Sequence, residues 1–396
     1  MSVPTNESRA DVVVVGCGII GASVAWRAAT TGRSVTVLDP DPGDGATHAA
    51  AGMLAPVSEA TFGEYPLLRL NVASNEMWPA FAAELEAETG VPVGLRRTGT
   101  LGVAYDDGDR RRLLRMLALQ QEWGLRAEEI TVAQAREREP LLGPRVAGAT
   151  WVSGDHQVDP RAVSRALGQG LAQRGVDVVR RRAAELVCSA DGSRVRGVRD
   201  ETGALYAADD VVLAAGWATR DLVHGMGPAS VPTRPVKGQV VRLGRSASAR
   251  TPQASHVVRG LVQDRSVYVV PRANGELVVG ASSEEQPDDR EITAGATFAL
   301  LRDARALVPG IDELAVTDMT ARARPGSPDN LPIIGPVGPP GLVVATGHYR
   351  DGILLAPLTA EAVCAVLDGE PPVTDLGAAD PNRFSTTTQK MVVSAR

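Results

Sequence analysis

Cysteine is scarce in this sequence: the 396 residues include three, Cys17, Cys188 and Cys364. The three lie far apart and form no C-x-x-C motif, so the sequence indicates neither a disulfide framework nor a zinc site. The five histidines also lack the spacing of metal ligands. No G-x-S-x-G or H-E-x-x-H motif is present. We therefore expect no bound metal, and the hydrolase and metalloenzyme classes have no support.

Long apolar runs and an excess of positive charge are also missing. No run approaches the roughly 20 residues needed to cross a bilayer, and residues 1–10 are too polar for a signal peptide. The net charge of −6 argues against a nucleic-acid surface. We expect a cytoplasmic protein that binds neither membrane nor nucleic acid. A chain of this length can bury enough core for two domains.

Glycine is abundant and well placed near the amino terminus. Residues 11–15 form a short, β-branched apolar run, which is typical of a buried parallel strand. Gly16, Gly18 and Gly21 follow as G-x-G-x-x-G, whose backbone lets a pyrophosphate approach a helix N-terminus. After a second strand, Asp39 stands where its carboxylate can accept hydrogen bonds from an adenosine ribose. The unit predicts a dinucleotide site but does not separate NAD from FAD.

The carboxyl-terminal part of the chain favours FAD. Residues 341–346 predict a buried strand, 347–352 a glycine-bounded loop, and residues from Ile353 onward a helix. A second helix N-terminus near the ligand would suit the flavin edge that becomes anionic on reduction. An ordinary strand-to-helix turn of the sheet is an equally good explanation of this segment from physics alone.

Five motifs occur in the order seen in a known family. Besides the glycine fingerprint they are AAAGML (49–54), YVVPR (268–272), RPG (324–326) and GHYRDGILLAP (347–357). With them the chain resembles flavin-dependent amine oxidases of the D-amino-acid oxidase type, and among these the glycine oxidases of thiamine biosynthesis. The resemblance extends from about residue 11 to residue 367.

The order of the predicted elements and this resemblance together imply an α/β fold with two domains. The first is a discontinuous, Rossmann-like FAD-binding domain made of residues 1–92, 150–228 and 320–396. The second is an α+β substrate-binding domain, residues 93–149 and 229–319, built on a mainly antiparallel sheet. The Asn274-Gly275 pair predicts a hairpin within that sheet.

A flavin amine oxidase must hold its substrate so that the Cα–H faces flavin N5. An arginine fork is the best clamp for the substrate carboxylate, and Arg324 and Arg350 are the candidates. The resemblance assigns both to the substrate, whereas the alternative is that they pair with Asp329 or Asp351. Tyr268 could add its hydroxyl to the same clamp, or could be an ordinary aromatic residue of a strand.

Other positions are assigned mainly by the resemblance. Met53 is expected at the substrate, although it could be a core residue, and Arg272 is expected to be a turn residue. No cysteine occurs in residues 324–355, so we expect non-covalent FAD. Ser266 and Ser283 depart from the expected pattern and leave the amine specificity open. The positions implied to contact FAD are Gly16, Gly18, Ile19, Ile20, Gly21, Asp39, Pro40, Ala46, Thr47, Ala51, Gly52, Met53, Ala184, His348, Tyr349, Arg350, Asp351, Gly352, Ile353 and Leu354.

The implied activity is oxidative deamination of glycine, and of sarcosine and small D-amino acids if the pocket allows. The imine product would hydrolyse to glyoxylate, O2 would be reduced to H2O2, and the reaction would supply thiazole for thiamine. No acid–base residue is expected, since the flavin accepts the hydride. The resemblance also implies a homo-oligomer, a tetramer. The alternative is a D-amino-acid dehydrogenase that passes electrons to a quinone; a flavin-binding protein without turnover and an RNA-modifying flavoenzyme fit the sequence less well.

Overall fold

The computed structural model describes residues 8–224, 231–244, 254–286 and 288–385. Residues 1–7, 225–228 and 386–396 of the predicted FAD-binding domain lie outside these ranges, as do residues 229–230, 245–253 and 287 of the second domain. The strands are β1 (Ser8–Val15), β2 (Val35–Leu38), β3 (Met53–Leu54), β4 (Thr100–Ala104), β5 (Glu128–Ile130), β6 (Gly148–Val152), β7 (His156–Gln157), β8 (Asp177–Val179), β9 (Ala183–Cys188), β10 (Val195–Asp200), β11 (Leu205–Leu213), β12 (Arg234–Gly244), β13 (Val257–Val262), β14 (Arg265–Pro271), β15 (Leu277–Gly280), β16 (Ala315–Gly326), β17 (Ile333–Pro336) and β18 (Leu342–Thr346). The helices are α1 (Ile19–Thr30), α2 (Ala46–Ala49), α3 (Tyr65–Thr89), α4 (Asp107–Glu122), α5 (Val132–Arg138), α6 (Pro160–Gln173), α7 (Thr219–Val223), α8 (Ala294–Leu307) and α9 (Ala356–Asp368).

The first sheet has the order β17-β18-β11-β1-β2-β8, with β10 and β9 extending from β11. β1 pairs in parallel with β2 and β11, so that Val12 lies opposite Val35 and Asp210. One face of β1 packs with α1, α3, α6 and α9, and the other face packs with residues of β9 and β10. Because both faces of β1 are covered, its residues are apolar throughout instead of alternating between apolar and polar. The carboxyl ends of β1, β2, β11 and β18 meet at one edge, the usual ligand-binding edge of an open α/β sheet.

The second sheet has the order β16-β12-β15-β14-β13-β4-β6-β5. Its pairings are antiparallel except for that of β13 with β4. The predicted hairpin at Asn274-Gly275 joins β14 to β15. α8 packs against one face of the sheet. The opposite face therefore remains available to Tyr268 and the other residues of the site described below.

The two-domain division stays a prediction, and strand pairing suggests slightly different boundaries. β6 and β16 both belong to the second sheet. A boundary at residues 149/150 or 319/320 would divide each of them between domains. The prediction that a helix follows from Ile353 was wrong in its start, since α9 begins at Ala356. The residues before it form a turn in which the Leu355 amide donates to the Asp351 carbonyl at 2.8 Å.

Candidate active site

A cavity of about 760 Å³ collects residues from both sheets. At one end it is lined by the carboxyl ends of β1 and β2, and at the other by Tyr268, Arg324 and Arg350. Cavities of this size accommodate cofactors and drug-sized ligands. Its lining thus combines a nucleotide-type end with a charged end, which suits a dinucleotide together with a small substrate.

The nucleotide end is built by the turn between β1 and α1. Gly16 has φ +99°, and a Cβ there would lie 2.4 Å from the Ala214 carbonyl oxygen. Gly18 precedes the first turn of α1, and the Ile19 amide donates to Thr47 Oγ1 at 2.9 Å. Backbone amides and the positive end of α1 thus face the cavity without an acidic side chain in the first turn. This donor set fits a pyrophosphate.

Asp39 lies at the end of β2 and lines the same part of the cavity. Its carboxylate accepts hydrogen bonds from the Cys17 amide at 2.6 Å and from the Asp41 amide at 2.8 Å. These bonds hold the side chain across the carboxyl edge of the sheet, and further lone pairs remain for ligand hydroxyls. Ala184 lines the cavity beside Arg182. The geometry is compatible with an adenosine between Asp39 and Ala184.

Most of the predicted cofactor positions line the cavity, and three do not. Gly21 packs against the Gly16 carbonyl, so a Cβ there would lie only 1.9 Å from that oxygen. Asp351 is buried outside the cavity lining. Leu354 is buried, and its carbonyl accepts from Trp78 Nε1 at 2.9 Å. The predicted positions that line the cavity are Gly16, Gly18, Ile19, Ile20, Asp39, Pro40, Ala46, Thr47, Ala51, Gly52, Met53, Ala184, His348, Tyr349, Arg350, Gly352 and Ile353.

The charged end brings together the residues predicted for the substrate. Arg324 is half-buried, donates to the Ser282 carbonyl at 3.1 Å, and has a pKa lowered by burial. Arg350 contacts Tyr349, with its guanidinium carbon 4.9 Å from the ring centroid. Neither arginine forms an ion pair with any residue that the structure describes. Asp329, the alternative partner of Arg324, instead pairs with Arg383 at 2.8 Å.

A buried histidine and a partly buried tyrosine complete this end. Burial lowers the pKa of His348 to about 3, and its Nε2 lies 2.9 Å from Thr359 Oγ1. The imidazole is therefore neutral near pH 7. Burial raises the pKa of Tyr268, which keeps its hydroxyl protonated and able to donate. Protonated donors and unpaired guanidinium groups are the complement of a carboxylate.

Two strand glycines that the sequence analysis did not select make room for these side chains. A Cβ at Gly238 would lie 2.3 Å from Arg324 Nη1, and one at Gly280 would lie 2.2 Å from the Tyr268 hydroxyl. Gly280 is the direct cross-strand partner of Tyr268. Glycine inside a strand often marks such a close approach, and this signal could have identified both positions.

Arg272 is a turn residue, as expected, since its carbonyl accepts from the Gly275 amide at 3.1 Å in the turn between β14 and β15, but its side chain has a further role that the sequence did not indicate. The side chain is buried and donates to the Ala51 carbonyl at 2.6 Å, the Val158 carbonyl at 2.8 Å and Gln157 Oε1 at 3.0 Å. Burial lowers its pKa to about 10, so it remains charged at neutral pH. Through these bonds the hairpin of the second sheet is attached to the segment that carries Ala51, Gly52 and Met53.

We expect Arg272→Met to destabilise the protein and to reduce its flavin content. The substitution leaves three buried acceptors without a donor, at about 1–3 kcal/mol for each unsatisfied group. The free energy of unfolding would fall by about 3–9 kcal/mol if none of the three acceptors regains a donor. Denaturant unfolding and FAD-to-protein ratio measure the two effects. Arg9→Met, which removes an exposed partner of Asp209, is the control; equal behaviour of the two variants would contradict the attachment role.

Ser266 and Ser283, the two positions that left the amine specificity open, differ in their distance from the site. Ser266 is exposed and is not among the residues that line the cavity, so it does not enlarge the pocket directly. Ser283 lies beside Tyr349 and bonds to its hydroxyl.

The lining of the cavity contains no cysteine, and non-covalent attachment of FAD stays a prediction. In the described ranges no group of three metal-ligating side chains occurs, and no helix is long and apolar enough to cross a bilayer.

Comparison with known proteins identifies the family. The profile of the family described as "FAD dependent oxidoreductase" matches residues 11–366. The chain belongs to this family. It is therefore an FAD-dependent oxidoreductase, and the mixed α/β architecture is that of its family.

Individual relatives cover nearly all of the chain. The chain is 33% identical over 372 residues to a glycine oxidase of Geobacillus kaustophilus. This match covers 93% of this chain and 95% of the relative. The chain is also 33% identical over 393 residues to the bifunctional protein ThiO/ThiG of Synechocystis. This match covers 98% of this chain but only 56% of that protein. The crystal structure of the Geobacillus kaustophilus glycine oxidase superposes with a TM-score of 0.87 at 31% identity, covering 95% of this chain and 99% of that one.

Proposed function

We propose that this FAD-dependent oxidoreductase is an oxidase that deaminates glycine. Glycine would be converted to the imine, which hydrolyses to glyoxylate and ammonia, while O2 is reduced to H2O2. The observation that carries the proposal is the pair of guanidinium groups, Arg324 and Arg350, that line the cavity without an ion-pair partner among the described residues. The relatives named glycine oxidase support the choice of amine.

The two arginines and Tyr268 would bind the substrate carboxylate. A guanidinium fork donates two parallel hydrogen bonds to a carboxylate, and the tyrosine hydroxyl can donate a third. The Ser282 carbonyl holds Arg324 in place through a bond of 3.1 Å. Met53 would form an apolar wall beside the substrate Cα. This clamp orients the substrate, and the chemistry that FAD supplies when bound is acceptance of the hydride equivalent and transfer of the electrons to O2.

The protein would hold FAD without a covalent bond. We assign the pyrophosphate to the turn from Gly16 to Ile20, the ribose to Asp39 and Pro40, and the adenine to the backbone near Ala184. Ala46 and Thr47 would contact phosphate, whereas Ala51, Gly52 and residues 348–353 would surround the flavin ring. For Gly21 the role is packing, and for Asp351 and Leu354 contact with the cofactor stays a prediction.

The biological setting belongs to the same proposal. One relative is named as a bifunctional ThiO/ThiG protein, and this chain covers 56% of its length. We infer that the product of this reaction supplies thiazole for thiamine biosynthesis. Assembly as a homotetramer and a cytoplasmic location remain predictions, and light scattering of the purified protein measures the first.

Aerobic release of H2O2 with a series of amines tests the proposed activity. We expect peroxide with glycine, sarcosine and D-alanine, with the highest kcat/KM for glycine. Methylamine is the control, because it offers a C–H bond and an amine but no carboxylate to the arginines. No peroxide from any amine, together with rapid reduction of a soluble quinone, would instead identify a D-amino-acid dehydrogenase.

A further inference from the structure

One acidic residue lies among the cations of the substrate end. Glu59, from the loop between β3 and α3, lines the cavity together with Tyr268, Arg324 and Arg350. Its carboxylate forms an ion pair with Arg259 of β13. The two side chains are only 19% and 26% exposed. Because partly buried charges are poorly screened, this pair contributes to the potential that a substrate meets.

The position of Arg259 in the sheet shows which of the two side chains lies nearer to the cavity. Arg259 is the direct cross-strand partner of Tyr268, so both side chains project from the same face. Glu59 is among the residues that line the cavity, whereas Arg259 is not. The carboxylate therefore forms part of the cavity wall, and the guanidinium lies behind it, next to Tyr268.

The loop holds Glu59 in this position through buried contacts. Asp155, which is fully buried, accepts hydrogen bonds from the Val57 amide at 3.1 Å and the Ser58 amide at 2.8 Å. The Gln120 side chain donates to the Val57 carbonyl at 2.9 Å. The loop is thus fixed on both sides just before Glu59. An ion pair at the end of such an anchored segment keeps its geometry when a substrate enters.

The negative charge of Glu59 also acts on a neighbouring carboxyl group. Burial, together with the charges of Glu59 and Glu64, raises the pKa of Asp351 to about 8, so that this group is mostly protonated at neutral pH. A further anion entering this region from a substrate would meet the same repulsion. A second acidic group on the substrate would find Arg259 as its natural partner, but that guanidinium is already neutralised.

We propose that Glu59 masks Arg259 and thereby makes the pocket select amines with a single carboxylate. Removal of the Glu59 charge would expose a second carboxylate-binding group beside Tyr268, and amino acids with an acidic side chain would then bind. The inference rests on the proposed function, because it takes the first carboxylate to be held by Arg324 and Arg350.

Binding of unreactive acids to the FAD-loaded protein tests this assignment without turnover. Acetate reports on the first carboxylate site, and malonate reports on both sites; each Kd is measured by perturbation of the flavin absorbance. We expect Glu59→Gln to raise the affinity for malonate relative to acetate by about 30-fold, which is roughly 2 kcal/mol. The double variant Glu59→Gln/Arg259→Met should lose this gain. Glu129→Gln, which breaks the exposed pair with Arg110, is the matched control and should leave the ratio unchanged.

The outcomes separate this inference from the proposed function. If acetate binds neither to the unaltered protein nor to any of the variants, Arg324 and Arg350 do not form a carboxylate clamp, and the proposed function fails with it. If acetate binds but Glu59→Gln leaves the malonate-to-acetate ratio unchanged, or the double variant keeps the gain, the masking role is overturned. Glu59→Ala replaces Glu59→Gln in the same comparison if the latter does not fold. The ratio of kcat/KM for D-aspartate to that for D-alanine should change in the same direction.

Discussion

Arg324→Ala is expected to lower kcat/KM for glycine by roughly 30-fold to several-thousand-fold. Removal of one member of a buried charge pair costs ~2–5 kcal/mol, and about 1.4 kcal/mol corresponds to each factor of ten. Arg324 is half-buried, and within the protein its guanidinium donates a hydrogen bond to the Ser282 carbonyl. Without this guanidinium the substrate carboxylate would lose its main partner. Arg324→Lys should recover part of the loss, because a point charge does not reproduce the bidentate fork.

Three controls distinguish a substrate role from a structural one. FAD content should stay near that of the unaltered protein, since Arg324 is assigned to the substrate. Oxidation of methylamine, which has no carboxylate, should be nearly indifferent to the change. Arg383→Ala removes an arginine of similar burial that pairs with Asp329, and should leave kcat/KM for glycine close to its original value. Retention of full kcat/KM by Arg324→Ala, or loss of its flavin, would show that the residue is structural.

Gly16→Ala is expected to yield protein with little or no bound FAD. A Cβ at this position would lie 2.4 Å from the Ala214 carbonyl oxygen and 2.9 Å from Ala215 Cα. Those atoms are backbone, so the turn itself must move, and the amides at the start of α1 move with it. An overpacked position of this kind costs typically 1–3 kcal/mol in stability. The cost to FAD binding is larger, because the pyrophosphate depends on the position of the whole turn.

Gly32→Ala is the matched control for this substitution. Gly32 also has a positive φ, +86°, but a Cβ there would meet no atom within 4 Å. It therefore carries the left-handed backbone cost of about 1–2 kcal/mol without the collision. The FAD-to-protein ratio after gel filtration should be near one for Gly32→Ala and far lower for Gly16→Ala. Equal flavin content in the two variants would contradict the assignment of the turn to the pyrophosphate.

The nucleotide end of the site could be predicted from sequence because it is local. Residues 11–39 form one strand, one turn, one helix and a second strand, and the pattern of each is visible in consecutive residues. The structure places Gly16, Gly18 and Asp39 together at the edge of the first sheet, as that pattern requires. The start of α9 was predicted three residues too early, because a turn continued by apolar residues looks the same in sequence as the first turn of a helix.

The parts that sequence reasoning missed depend on contacts across strands and between distant segments. Arg272 is in the predicted turn, but the three acceptors of its side chain lie between 114 and 221 residues away in the sequence. Gly238 and Gly280 acquire their meaning from the side chains on neighbouring strands. Glu59 stands in a loop whose place beside Arg259 no periodic pattern encodes. The identity of the charged end could be inferred through family motifs, whereas its shape required the fold.

Anaerobic mixing of the purified holoprotein with glycine, followed by admission of air, tests whether the protein is a glycine oxidase. We expect glycine to bleach the flavin absorbance without oxygen and air to restore it within seconds, with release of H2O2 and glyoxylate. Flavin that glycine leaves oxidised would contradict the assignment of glycine as substrate. Flavin that glycine reduces, but that persists for many minutes in air and reacts quickly with a soluble quinone, would contradict the assignment as an oxidase.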